Sequence, residues 1–188
     1  MSQGRIPGSV LPFDGQPGMF ALFRPLIRAT DGLTLSQVCA ITGLEPTAVQ
    51  NWVKRGFVAR PIQKKYRERQ LARILLICAL RDSLQIDRIG ALMAMVNGSA
   101  DDESDDIVPE DQLYDYLCAC VGDPADDRRS PAEIPAVVES VLKTYRAPAP
   151  EAAERLREAL TVMVYAYTAG QLKQEAERRF LAMEEEWK

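Results

Sequence analysis

Thr47, Gln50, Asn51 and Lys54 stand three, four and seven positions along "TAVQNWVKRGFVARPIQKKYRERQLA", a spacing that gathers them on one face of a helix. Carboxamides such as Gln50 and Asn51 can pair bidentately with an adenine edge, and a lysine can meet guanine or a phosphate. Between Lys54 and Arg73 lie eight basic residues: Lys54, Arg55, Arg60, Lys64, Lys65, Arg67, Arg69 and Arg73, with Glu68 the only acid. A surface needed only for solubility would mix the signs, so this run points to a polyanion. Lys64, Lys65 and Arg67 suit phosphates, with Arg55 and Arg60 beside them. Thr47, Gln50, Asn51 and Lys54 suit the major groove. The plainer reading of the same helix is a polar face that meets only water. If about half of the eight cations meet phosphates, log affinity falls against log salt with a slope of roughly −3 to −4 per head.

These side chains need elements to hold them. "TLSQVCAIT" opens on Thr34, a good N-cap, and carries Leu35, Val38, Cys39 and Ile41 as its apolar positions. Gly43 ends it by supplying a left-handed residue. Pro46 suits the first turn of a second helix, with Glu45 a mediocre cap before it. That helix runs through Val49, Trp52 and Val53 to Gly56, and the pair is a helix-turn-helix candidate. Trp52 and Tyr66 are expected as packing residues. "FVARPIQKKY" (57–66) fits an extended or small hairpin wing, and "RERQLARILLICALRDS" and "IDRIGALMAMVNG" read as two strong helices.

The flanks differ sharply in charge. Residues 34–98 carry 10 basic and 4 acidic groups, whereas residues 99–188 carry 10 and 21. Such an asymmetry separates a nucleic-acid-facing unit from one that should stay clear of it. The expected organisation is an arm with a short helix over 1–33, a DNA-binding domain over 34–98, an acidic linker over 99–108, and a helical dimerisation or effector region over 109–188. In the arm, "MFALFRPLIRA" (19–29) forms a short helix limited by Pro25. In the last region, Leu156, Leu160, Met163 and Tyr167 recur at helical spacing. Leu172, Ala176, Phe180, Met183 and Trp187 resume it, and Gly170, at the change of phase, predicts a kink or break.

With no histidine among 188 residues, the commonest general base and metal ligand is missing. No Gly-rich phosphate loop, nucleophile motif or metal-ligand spacing is visible. Neither an enzyme nor a cofactor is expected. Cys118 and Cys120, two apart on a helix, point to different sides and read as core, not as a metal pair. No apolar run reaches bilayer length and no apolar leader follows Arg5, so a cytoplasmic protein is expected.

The run from Leu35 to Met93 resembles the DNA-binding head of MerR-type transcriptional regulators, through "LSQVCAITGL", "NWVKRGFV" and "KKYRERQLARILLI". "QNWVKRG" with "KKYRERQLARILLI" is more similar still to an uncharacterised bacterial domain family of unknown function, seen mainly in Gram-positive genomes. The resemblance implies an all-α fold: a winged helix-turn-helix with a minimal β wing, followed by a helical C-terminal region. It implies a transcriptional regulator that binds double-stranded DNA, as a homodimer with two half-sites, with a protein or small-molecule effector at the C-terminal region. Asn51 replaces the first aromatic of the family's pair, Gln50 replaces its arginine, and "SLQ" replaces its Gly-Phe. Base preference and activation by DNA untwisting are therefore not carried over. The rival expectation is a non-enzymatic protein-interaction module, keeping the winged scaffold and acting through acidic helices.

Overall fold

A computed structural model describes residues 5–12, 19–102, 104–122 and 130–187. Its elements are helical: α1 (Arg24–Ala29), α2 (Leu35–Thr42), α3 (Pro46–Lys54), α4 (Glu68–Leu80), α5 (Ile86–Asn97), α6 (Glu110–Val121), α7 (Ile134–Val141) and α8 (Pro150–Glu186). Short 3-10 turns precede α1 and flank α7. Among the described residues there is no strand, only three isolated β-bridges. The fold is all-α.

The axis of the structure is α4. Every residue from Leu71 to Ile77 is buried, the pattern of a helix surrounded on all sides. It packs on α6 most extensively, and also on α8, α2 and α5. One continuous apolar cluster runs from Ile6 through α2, α3 and α4 to α6, α7 and Tyr167 of α8. Residues 99–108, expected as a linker, keep exposed aspartates but also bury Ala100 and Val108. Here Asp106 reaches Arg69 of α4 at 3.2 Å.

Two expectations about proline and glycine change. Pro25 does not limit a helix but starts one, lying in the first turn of α1 after a separate 3-10 turn over Met19–Leu22. Its missing N–H is no loss at that position. Gly170 marks no break either: α8 is a single helix of 37 residues, about 55 Å long. Gly170 is buried instead, where an added Cβ would sit 3.3 Å from the Cβ of Asp82. Its smallness lets the 80–86 turn approach the helix.

The described part of the N-terminal arm, residues 5–12, is irregular, as its glycine and prolines predict, but firmly seated. Ile6 is buried, the Tyr114 hydroxyl donates to the Pro7 carbonyl at 2.7 Å, and the Val10 N–H donates to the Ile41 carbonyl at 2.9 Å. The arm thus joins α2 to α6 across α4.

The 57–66 segment forms no paired strands. Pro61 lacks a donor, and side chains of α4 take two of the carbonyls a ladder would use. Arg73 Nε donates to Phe57 O at 2.6 Å and Gln70 Nε2 to Arg60 O at 3.0 Å. What remains is a two-residue turn, Gln63-Lys64, closed by reciprocal Ile62–Lys65 backbone bonds of 3.0 and 2.8 Å. Beyond it, Tyr66 bridges to Leu33 in both directions at 2.8 Å. Both turn residues have positive φ, 50° and 62°. This is type I′ geometry, in which Asn-Gly is preferred and each other L-residue costs about 1–2 kcal/mol. The double substitution Gln63→Asn, Lys64→Gly should therefore raise stability by about 1 kcal/mol, seen as a higher urea midpoint at unchanged slope.

Candidate nucleic-acid interface

Local sequence makes the α2–α3 pair. The Thr34 hydroxyl accepts from the Gln37 N–H at 3.3 Å while the Thr34 N–H donates to Gln37 Oε1 at 2.8 Å, a capping box that fixes the start of α2. Gly43, at φ 70°, ends α2 with its N–H on the Cys39 carbonyl. Pro46 opens α3, and Glu45 caps nothing with its side chain. Val49 and Trp52 are buried, anchoring one side of α3 against the core.

The opposite side of α3 presents Thr47, Gln50, Asn51 and Lys54, all exposed. They occupy an arc of about 100° at 3.6 residues per turn. The first turn of α3 carries no acid, and the one carboxylate at that helix end is Glu45 at the N-cap, which makes no capping bond. Arg60 and Lys64 are exposed beyond it, Lys64 on the two-residue turn. Among the described residues, Lys54, Arg60 and Lys64 have no ion-pair partner.

The other basic candidates are engaged within the protein. Arg55 pairs with Asp87 at the start of α5 at 2.9 Å and lies over the Phe57 ring at 4.6 Å. Arg67 pairs with Asp31 at 3.0 Å. Lys65 is half-buried, with Nζ 3.4 and 3.5 Å from the carbonyls of Thr30 and Gly32. The Arg55 and Arg67 pairs are exposed contacts of small energy that a phosphate could displace.

Arg69 and Arg73, counted with the basic run in sequence, turn inward. Arg73 Nη1 meets Glu110 Oε1 at 2.6 Å, Arg69 Nε meets Glu110 Oε2 at 2.6 Å, and Arg69 Nη1 meets Asp106. The Glu110 side chain is fully enclosed. Burial pushes its carboxyl up to about 7, against the downward pull of Arg73 and then Arg69. The sequence carried a signal for this cluster that spacing alone did not read. Arg73 stands inside "LARILLI", on a helix with no polar side, and a charge there must be paired. Its partner is 37 positions away.

Cys118 and Cys120 are both buried, and burial pushes the Cys118 thiol well up. Beside the Arg69 cluster an open cleft of about 370 Å³ lies between α1 and the first turns of α4 and α6, bordered by Ile27, Gly32 and Pro109. Its arginines already hold carboxylates: Arg28 on Glu68, Arg67 on Asp31, Arg69 on Asp106 and Glu110.

No solved structure matches this chain. An "Uncharacterized protein YkrK" from Bacillus subtilis (strain 168) is 31% identical over 102 residues, which cover 52% of this chain and 43% of that protein. A family model described as "Domain of unknown function (DUF1836)" matches residues 31–117, the span from the turn before α2 into α6. That span takes in both the exposed face of α3 and the buried Arg73–Glu110 pair. The similarity to that family model is thus carried by the segment that holds the candidate site.

Proposed function

We propose that this protein is a non-enzymatic, cytoplasmic transcriptional regulator that binds double-stranded DNA as a homodimer. In this reading α2 and α3 act as a helix-turn-helix of MerR-like kind and the 62–66 turn as a reduced wing. The observation that carries it is the single exposed face of α3, where Thr47, Gln50, Asn51 and Lys54 stand together opposite the buried Val49 and Trp52. The amides supply base-edge donors and acceptors, and Lys54, Arg60 and Lys64 supply charge for the backbone. With Arg69 and Arg73 withdrawn, the charge available for phosphate is smaller than the sequence suggested. Three contacts at about 0.9 each give a salt slope near −3 per head.

The test is binding of duplex genomic fragments by the purified protein across a salt series. Gln50→Ala, Asn51→Ala and Lys54→Ala together should lower affinity for preferred fragments about 100-fold; the other fragments should lose only the one phosphate contact of Lys54, with the salt slope reduced by about 1. Absence of binding at low salt by a folded, dimeric sample overturns the reading. One observation favours the rival, a protein-interaction module: four of the eight basic residues are held in ion pairs with acids of the same chain. That reading predicts unchanged behaviour of the triple variant in every DNA assay.

A further inference from the structure

Arg73 touches two distant parts of the protein at once. Its Nε donates to the Phe57 carbonyl and its Nη1 meets Glu110 Oε1, both at 2.6 Å. Phe57 closes the end of α3: its N–H donates to the Trp52 carbonyl at 2.9 Å, and the Gly56 N–H donates to Val53 at 3.2 Å. One buried guanidinium therefore fastens the junction between α3 and the wing segment to the first residue of α6. Further along the same segment, the Arg60 carbonyl is held by the neutral Gln70. A bond between neutral groups is indifferent to pH, whereas one between a guanidinium and a carboxylate is not.

The charged groups around Glu110 come from several elements. From α4, Arg73 holds one oxygen and Arg69 the other, at 2.6 Å. From the 99–108 segment, Asp106 stands behind Arg69 at 3.2 Å. From α1, Arg24 and Arg28 turn instead to Glu68, and Arg24 also to Asp111. On α6 itself, Asp115 accepts the Phe20 N–H at 2.8 Å, and from α8 Tyr167 acts on Tyr114, one turn along. Beside Phe57 stand Arg55 and its partner Asp87 of α5, an exposed pair. Arg69, Arg73, Asp106 and Glu110 balance in charge only while Glu110 is ionised. Once it is protonated, Arg73 keeps the Phe57 carbonyl but loses its charged anchor on α6.

We infer that Glu110 is a pH-responsive latch on the end of α3: ionised, it anchors the α3–wing junction to α6 through Arg73, and protonated, it lets that junction loosen. Burial lifts its carboxyl to about 7, which places the change near neutral pH. Local and global effects run in opposite directions. The folded protein as a whole is favoured by protonation, because the folded value lies above the ordinary 4.5, while the junction alone loses a tie.

The inference deepens the DNA-binding reading by naming a regulation of the α3 face, and rests on it for that consequence. The latch itself is measured without DNA, so the two fail separately. Hydrogen exchange of the full chain, corrected for the intrinsic pH dependence of amide exchange, reads it. Protection of Gly56 and Phe57 should fall about tenfold from pH 8 to pH 6, while protection of Leu160 and Met163 in α8 does not fall. Glu110→Gln, neutral and of the same shape, should show the low-pH protection at both values. Asp111→Asn, which removes the adjacent carboxylate, should leave the change intact. Equal protection of Gly56 and Phe57 at pH 8 and pH 6 in the wild type overturns the latch, and so does a Glu110→Gln protein that keeps the full change. Affinity for duplex fragments should fall over the same range in the wild type and stay level in Glu110→Gln. A level wild-type affinity beside a changing protection overturns the regulation of DNA binding.

Discussion

Replacing Arg73 with methionine should destabilise the protein by about 3 kcal/mol at pH 8 and by clearly less at pH 5. Removing one partner of a buried ion pair typically costs about 3–5 kcal/mol, because the remaining charge is left unpaired in a poor solvent. Arg69 still touches Glu110, which sets the loss at the low end. Glu110 decides the pH dependence. Its carboxyl is raised to about 7 in the folded protein from an ordinary value of 4.5. Between those values the folded protein holds a proton that the unfolded chain releases, so stability falls as pH rises through that window. Arg73 opposes the upward push. Without it the carboxyl rises further, and the penalty grows with pH. At pH 5 Glu110 is already protonated and the variant loses chiefly the bond to Phe57 O. Urea midpoints at the two pH values measure this, and equal losses at both would contradict it. Adding Glu110→Leu to Arg73→Met should recover much of the deficit, since an apolar pair of similar volume replaces a buried ion pair at little cost.

The second large effect is expected at Gly8. Its φ is 74°, and an added Cβ would lie 2.1 Å from the Leu75 carbonyl oxygen. Backbone of a central helix cannot yield as a side chain can. Gly8→Ala should therefore lift the arm from α4, uncovering Ile6 and freeing the Pro7 carbonyl from Tyr114. The left-handed conformation and the overpacking together cost about 2–3 kcal/mol. For a chain of this size that is a fall in melting temperature of roughly 4–12 °C. A fall of less than about one degree would mean that the arm contributes little to the fold.

Local chemistry was legible in the sequence and distant pairing was not. Thr34, Gly43 and Pro46 act through neighbours three or four residues away, so the start and end of α2 and the start of α3 could be read directly. The polar face of α3 followed from spacing alone. The place of Arg73 inside "LARILLI" signals burial, but the partner could not be read, because it belongs to another helix. The wing was overestimated for a related reason: carbonyls free in the sequence are taken by Gln70 and Arg73 of α4. The change of phase at Gly170 was real and its meaning was not a break. One continuous helix carries its apolar residues on the side facing the body before Gly170 and on an exposed side after it.

The bond from Tyr114 to Pro7 spans 107 positions and sets an order of events during synthesis. The entropy of closing so long a loop grows only as the logarithm of its length, so distance itself is a small obstacle. Timing is the larger one. The arm leaves the ribosome well before α6, and its seat there does not exist until more than a hundred further residues have followed. At about 5–20 residues per second that is a wait of roughly 5–20 s. The arm is thus placed long after it is made, and until then the faces of α4 that meet the arm and α6 have no cover from either.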